Sequence, residues 1–153
     1  MAGPNYAGNI IVILANLPDF LRIPVLKKRM IEFFSMSYEE KKEIINNALE
    51  AGPTIPFPNF SKLFKTWLEI LTTLTEDQRS ELFSGYINEI SKYPQKLIVF
   101  NLDGILEIFL TLDEQKKEIL SQTIRKIIND LNTEDKRRIM IVIPDSAKKY
   151  LKI

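Results

Sequence analysis

Two short landmarks recur along the chain at nearly fixed intervals, and they constrain the fold more than any other feature. The first is Leu17-Pro18-Asp19-Phe20, which opens an apolar-periodic segment. Proline fits the first turn of a helix and an acid complements the positive end of its dipole, so the pattern predicts a helix start. The second landmark is Ser35-Met36-Ser37, which ends that helix and caps the next one. Residues 17–47 are therefore predicted to form two helices joined by a short hinge.

Both landmarks return further along. The first returns after about 40 residues, and the second recurs twice at one constant spacing, from Ser37 to Thr75 and from Thr75 to Asp113. The later copies of the first landmark are Phe57-Pro58-Asn59-Phe60, Asn101-Leu102-Asp103-Gly104 and Ile143-Pro144-Asp145-Ser146, and those of the second are Thr73-Leu74-Thr75 and Thr111-Leu112-Asp113. The pattern predicts tandem helical hairpins with a period of about 40 residues.

Local signals inside these segments support the helices. Ser37 with Glu40, and Thr75 with Gln78, each match the capping box, in which two side chains satisfy free backbone donors at a helix start. Pro24 lies inside the first helix, where we expect it to kink the helix or delay its start.

Two shorter apolar runs, at residues 96–100 and 138–143, lie between successive units, and a similar run at residues 10–15 precedes the first hairpin. We expect short helices there, because the context is helical and hairpin turn signals are absent. Strands remain the alternative, since β-branched runs of this length also suit buried strands. In that case the fold would be α+β.

With 153 residues, 45% of them hydrophobic, the chain can build one sizeable core. We expect a lead-in at residues 1–8 and a single all-α domain over residues 9–153, with units at about 9–51, 52–91, 92–131 and a partial unit at 132–153. The units would form either a short right-handed superhelix or a compact irregular helical bundle.

The period of about 40 residues, with two main helices and one short helix in each unit, resembles the armadillo and HEAT class of helical repeats. The resemblance covers roughly residues 9–153 and lies in period and helix order. It implies a grooved surface that binds other proteins.

Composition excludes several functions. Histidine and cysteine are absent, which removes serine triads, histidine metal sites, thiolate zinc sites and cysteine nucleophiles. No nucleotide-binding glycine pattern is present, so we expect neither an enzyme nor a cofactor. The apolar run from Ile10 to Ala15 is too short to cross a membrane, and the first basic residue, Arg22, follows it, unlike in a secretory signal. We expect a soluble, cytoplasmic protein.

Acidic residues near the predicted helix starts are candidates for metal ligands or an acid–base pair, namely Glu39, Glu40, Glu43, Asp103, Glu107, Asp113 and Glu114. We interpret them instead as exposed acids that complement helix dipoles. Most aromatic side chains, Phe20 among them, are expected to pack against neighbouring helices.

Several basic clusters recur, and most have acids within one helical turn. The two with the fewest neighbouring acids are the predicted partner-binding surface, comprising Lys27, Lys28, Arg29, Lys136, Arg137 and Arg138. If aligned, they would contact an acidic partner or phosphates.

These features favour a non-enzymatic interaction or scaffold module that docks a partner protein or peptide in a groove between successive helices. A nucleic-acid-binding accessory protein is the alternative, although the formal net charge of +1 argues against strong polyanion binding. A self-assembling subunit that associates through its C-terminal helix is a further alternative.

Overall fold

The computed structural model describes residues 6–153, with side chains from Ile10 onward. Every regular element in this range is a helix, so the fold is all-α, as predicted. The helices are α1 (Tyr6–Asn16), α2 (Asp19–Phe33), α3 (Tyr38–Ala51), a short 3₁₀ helix (Gly52–Thr54), α4 (Phe57–Thr73), α5 (Glu76–Lys92), α6 (Gln95–Ile98), α7 (Leu102–Leu110), α8 (Glu114–Asp130), α9 (Thr133–Val142) and α10 (Asp145–Leu151).

The three short apolar runs form no strands in the described residues. The first lies in α1, the second begins in α6, and the third overlaps α9. The helical alternative was therefore the right one. Of the predicted lead-in, residues 1–5 lie outside the described residues, while residues 6–8 belong to α1.

The second landmark is a helix N-cap at all three positions. Backbone angles are nearly identical, with φ −68° and ψ 162° at Ser37, −67° and 160° at Thr75, and −67° and 162° at Asp113. Each side-chain oxygen accepts a hydrogen bond from the backbone N–H three residues later. Such a bond satisfies a donor that the helix itself leaves free.

The two predicted capping boxes differ in detail. Thr75 and Gln78 form the complete box, with both reciprocal hydrogen bonds at 3.2 Å. At Ser37 the hydroxyl accepts from the Glu40 N–H at 3.2 Å and lies 3.0 Å from the Glu40 carboxylate, to which it donates.

The first landmark also marks helix starts, but its second copy is shifted. The Pro18 carbonyl accepts from the N–H groups of Leu21 and Arg22, and the Pro56 carbonyl accepts from those of Asn59 and Phe60. Pro56 is thus the counterpart of Pro18, at the same spacing as that between successive N-caps, and the sequence alignment with Pro58 was wrong. Both prolines can occupy this place because the residue before a helix needs no N–H of its own.

The chain divides into two compact units, an N-terminal unit ending at Ile70 and a C-terminal unit from Leu71 to Ile153. In the N-terminal unit, α1 packs against α2 and α3. The Asn59 amide donates to the Asn16 side chain at 2.8 Å, which ties the start of α4 to the end of α1. The buried apolar core of this unit consists of Leu14, Ala15, Leu26, Met30, Phe33, Ile45, Leu49, Ile55, Phe60, Leu63, Leu68 and Ile70.

In the C-terminal unit, α5 packs against α8 and α9, and α10 packs against α8. Leu120 and Ile128 are fully buried and form the core-facing side of α8, and the buried Ile139 faces the core from α9. The Arg125 Nε donates to the Leu151 carbonyl at 2.9 Å, so a side chain of α8 holds the end of α10.

Two buried arginines join consecutive helices. Arg22 and Arg79 are only 2% and 6% exposed, and each is the fourth residue of its helix. Arg22 donates to the Leu17 carbonyl just after α1, and Arg79 donates to the carbonyls of Leu71 at 3.2 Å and Leu74 at 3.0 Å, at the end of α4. The last carbonyls of a helix lack their usual helical donors, so each arginine supplies hydrogen bonds at a helix end. The Leu71 carbonyl also accepts from the Leu74 N–H at 3.2 Å.

Each of these arginines also pairs with the first acid of its own helix, Arg22 with Asp19 and Arg79 with Glu76. The acids themselves are largely exposed. The acidic start of the helix therefore complements its dipole and also compensates a buried cation.

Candidate functional site

Helix α2 has a core side that differs from the one its sequence suggests. Its buried residues are Arg22, Leu26, Met30 and Phe33. These positions lie within about 80° of one another around a helix with 3.6 residues per turn, so they form a single face. Leu21, Val25 and Ile31 belong to the same apolar-periodic segment, and the structure leaves all three exposed.

The opposite side of α2 is the candidate site, which we call the α2 outer face. It consists of Phe20, Leu21, Ile23, Pro24, Lys27, Lys28 and Ile31, all exposed. Phe20 is the most exposed of its apolar members, at 75%. At about 100° per residue, Phe20, Pro24 and Ile31 fall within about 40° of each other and form a central apolar stripe. Such a grouping on one helix face is the kind of patch that marks an interaction site.

Pro24 lies in the middle of this stripe. Helix α2 begins at Asp19 and continues through it to Phe33, so Pro24 does not delay the helix start. It has no N–H, however, and cannot make the helical hydrogen bond to the Phe20 carbonyl. The α2 outer face therefore combines an apolar stripe with a backbone acceptor that lacks its usual donor.

The first predicted basic cluster adjoins this stripe. Lys27 and Lys28 are exposed and make no ion pair with any described residue. On the helix they lie on the two sides of the Phe20–Pro24–Ile31 line, within about 40° of it. Arg29 lies outside this face, about 20° from the buried Arg22 around the helix, and its guanidinium is 3.6 Å from the Glu32 carboxylate. The site therefore carries two uncompensated positive charges beside exposed apolar side chains.

The second predicted basic cluster, on α9, is largely neutralised. Arg137 and Arg138 lie 2.7 Å and 3.3 Å from the Glu134 carboxylate, and Arg138 also lies 3.9 Å from Asp135. Lys136 has no ion-pair partner among the described residues. The hydrogen bond and charge of Arg137, with a smaller contribution from Arg138, hold the pKa of Glu134 below its usual value.

The acidic candidates are not brought together. Asp113 is the N-cap of α8, and Glu114 pairs with Lys117 at 2.7 Å. Glu39 and Glu40 lie in the exposed first turn of α3, where they complement the helix dipole. Within residues 10–153, whose side chains are described, no group of three or more carboxylates is placed to hold a metal ion.

In the C-terminal unit, an open groove of about 340 Å³ lies between α5 and α8. Residues from Glu76 to Asn88 line one wall, and residues from Lys126 to Leu131 line the other. Its charged groups, on Glu76, Asp77, Lys126 and Asp130, all belong to exposed residues, so water solvates them. A groove of this kind provides no desolvated setting for acid–base chemistry.

Tyr86 on α5 also has a shifted pKa. The residue keeps some exposed surface, but burial of its hydroxyl raises the pKa above the usual value. A tyrosine that holds its proton more strongly is a poor base or nucleophile near neutral pH. We therefore assign it no chemical role.

Sequence reasoning missed the α2 outer face because it placed Phe20 with the packed aromatics, and the exposure of Phe20 contradicts that placement. A signal was available, since Phe20, Leu21, Ile23, Pro24 and Val25 are apolar on nearly all sides of one helix. A helix that packs on one side only cannot bury them all. Of the predicted surface residues, the structure combines Lys27 and Lys28 with this apolar face.

No helix in the described residues is long and apolar enough to cross a membrane. The chain matches no protein-family model, and comparisons with curated proteins and with solved structures likewise find no match. Any conclusion about function must therefore rest on the geometry of the chain itself.

Proposed function

We propose that this chain is a non-enzymatic interaction module that docks a partner protein on the α2 outer face. The observation that carries the proposal is the exposure of an apolar stripe led by Phe20 beside two unpaired lysines. Protein interfaces combine an apolar centre, often with an aromatic anchor, and a polar rim that sets specificity. The α2 outer face has both parts on one rigid helix.

The finer architecture belongs to the same proposal. Equal spacing of the N-caps Ser37, Thr75 and Asp113 supports tandem hairpins with a period of about 40 residues, stacked as a short superhelix or a compact bundle. Helical repeats of this kind present helix faces along one side, where partners dock. A cytoplasmic location is part of the proposal.

Affinity capture from native extract, with three forms of the protein, tests this function. Phe20→Ser combined with Ile31→Ser removes the apolar stripe, and Ile141→Ser is the matched control because Ile141 is also 75% exposed but lies on α9. We expect partner proteins captured by the wild type and by the control to be lost from the double variant. Capture of the same proteins by all three forms would refute the proposal, as would catalytic turnover of a defined small molecule.

Nucleic-acid binding through Lys27 and Lys28 is the second candidate, because these two exposed lysines have no ion-pair partner among the described residues. Phosphate contacts release counterions, so affinity measured by mobility shift should fall steeply as salt rises. Absence of binding at low salt removes this candidate. Sedimentation at two protein concentrations tests self-association through α10, where Tyr150 is exposed.

A further inference from the structure

We infer that the occupant of the α2 outer face is an amphipathic helix of another protein, whose apolar stripe is flanked by glutamate or aspartate. The inference rests on the proposed function and names the chemistry of its partner. It comes from three features of the face: the spacing of its apolar side chains, its charge and the backbone acceptor beside Pro24.

The apolar spacing suits a helix. Phe20, Pro24 and Ile31 are separated by four and seven residues, and the line from Phe20 to Ile31 runs about 16 Å along α2 at 1.5 Å per residue. A partner helix that repeats apolar residues every three or four positions presents a stripe of the same length and direction. Two such stripes bury each other along about three helical turns.

The charge on both sides of the stripe selects acidic flanks. Lys27 and Lys28 have no ion-pair partner among the described residues, and docking brings them beside the residues that border the partner's stripe. Acids at those positions would form ion pairs, whereas basic residues would be repelled. The same charge disfavours a second copy of α2 as the occupant, because two such faces would bring four lysines together.

Pro24 disfavours a lipid surface. The Phe20 carbonyl lacks the donor that a residue other than proline at position 24 would supply, and hydrocarbon offers no replacement donor. A partner helix can supply polar side chains or retain water at that point. Stable anchoring to anionic lipid also takes a larger basic cluster than the two unpaired lysines and Arg29 of α2 provide.

Two synthetic helical peptides of about five turns test this inference, with fluorescence anisotropy as the readout. Both carry leucine at i, i+4, i+7 and i+11, with glutamate flanks in one and lysine flanks in the other. We expect the wild type to bind the glutamate peptide at least about tenfold more tightly, and salt to reduce the difference. The variant Lys27→Glu with Lys28→Glu should reverse the preference.

The charge-matched control is Lys92→Glu with Lys126→Glu, which changes two exposed lysines that also lack ion-pair partners among the described residues but lie on α5 and α8. It should keep the wild-type preference. Equal binding of both peptides, binding of neither, or a preference that survives the Lys27 and Lys28 reversal overturns the inference. Phe20-dependent binding to vesicles of about one third phosphatidylserine, with no peptide preference, also overturns it in favour of a membrane occupant.

Failure of this inference is distinguishable from failure of the proposed function. If protein capture depends on Phe20 but responds neither to salt nor to the Lys27 and Lys28 reversal, docking on the face stands and the acidic helix is excluded. If capture does not depend on Phe20, the docking face itself is excluded.

Discussion

Replacing Arg79 with methionine should destabilise the C-terminal unit strongly. Arg79 is 6% exposed, and its guanidinium satisfies two carbonyls at the end of α4, those of Leu71 at 3.2 Å and Leu74 at 3.0 Å. Methionine fills a similar volume but donates no hydrogen bond, so the Leu74 carbonyl loses its donor and the Leu71 carbonyl keeps only the Leu74 N–H. Each charge-assisted bond contributes about 1.5–3 kcal/mol, and because the two share one side chain we expect a combined loss of about 3–5 kcal/mol.

Urea denaturation followed by circular dichroism measures this loss. At a slope of about 2 kcal/mol per molar urea, the midpoint should fall by about 1.5–2.5 M. Arg79→Lys keeps the charge but has no planar fork to reach two carbonyls, so it should lie between wild type and Arg79→Met, and it provides the measurement if the methionine variant is too unstable.

Glu76→Gln is the control, because it removes only the charge of the exposed partner of Arg79. Solvent screens the charge of the largely exposed Glu76, and glutamine can still accept the hydrogen bond from Arg79, so this variant should cost only about 0.2–1 kcal/mol. The reasoning is refuted if Arg79→Met unfolds within about 1 kcal/mol of wild type, or if Glu76→Gln costs as much as Arg79→Met.

Three further predictions concern single side chains. Thr75→Ala removes the α5 N-cap and should cost about 0.5–2 kcal/mol in urea denaturation, and an unchanged midpoint would exclude a contribution from the cap. The pKa of Glu134 lies below its usual value, so the carboxylate contributes to stability above its unfolded-state pKa, and this contribution is lost as pH falls through its folded-state pKa. Arg137→Ala should raise the pKa of Glu134 in an NMR titration, and an unchanged pKa would contradict the assigned cause. Tyr86 should keep its proton above its unfolded pKa of about 10, so its contribution to stability decreases as pH rises through that value. Ultraviolet titration of Tyr86→Phe should lack the last phenolate step, and an unchanged curve would assign that step to another tyrosine.

The helix starts were predictable from sequence because their causes are local. Ser37, Thr75 and Asp113 each bond to an N–H only three residues away, so the residues involved lie side by side in the sequence. The shift between Pro56 and Pro58 has the opposite origin. Proline is compatible with the residue before a helix and with its first turn, so two nearby prolines leave the start ambiguous.

The side of α2 that faces the core could not be predicted, because it depends on contacts made outside the helix, among them one with Thr66, 44 residues from Arg22. Arg22 lies inside because the Leu17 carbonyl and the Thr66 hydroxyl are there to accept its hydrogen bonds. With Arg22 on the same buried face as Leu26, Met30 and Phe33, Phe20 lies in solvent. From sequence alone, the aliphatic residues on both sides made either rotation plausible.

The buried arginines carried a sequence signal too weak to use. An acid at the first helical position and a base at the fourth occur at Asp19 with Arg22 and at Glu76 with Arg79. The same pair occurs at Asp145 with Lys148, where the lysine donates to the aspartate and the structure gives it no bond to a helix-end carbonyl. Only the position of the preceding helix distinguishes an arginine that bonds to a helix end from a basic residue that pairs with an acid alone. That position depends on tertiary packing.

Arg22 and Arg79, the two arginines that join consecutive helices, can serve as chemical reporters of local opening at those helix ends. Dicarbonyl reagents such as phenylglyoxal modify guanidinium groups that solvent can reach, and those of Arg22 and Arg79 are shielded in the folded chain. Their modification rates therefore report how often the α1–α2 and α4–α5 corners open, each followed by peptide mass spectrometry.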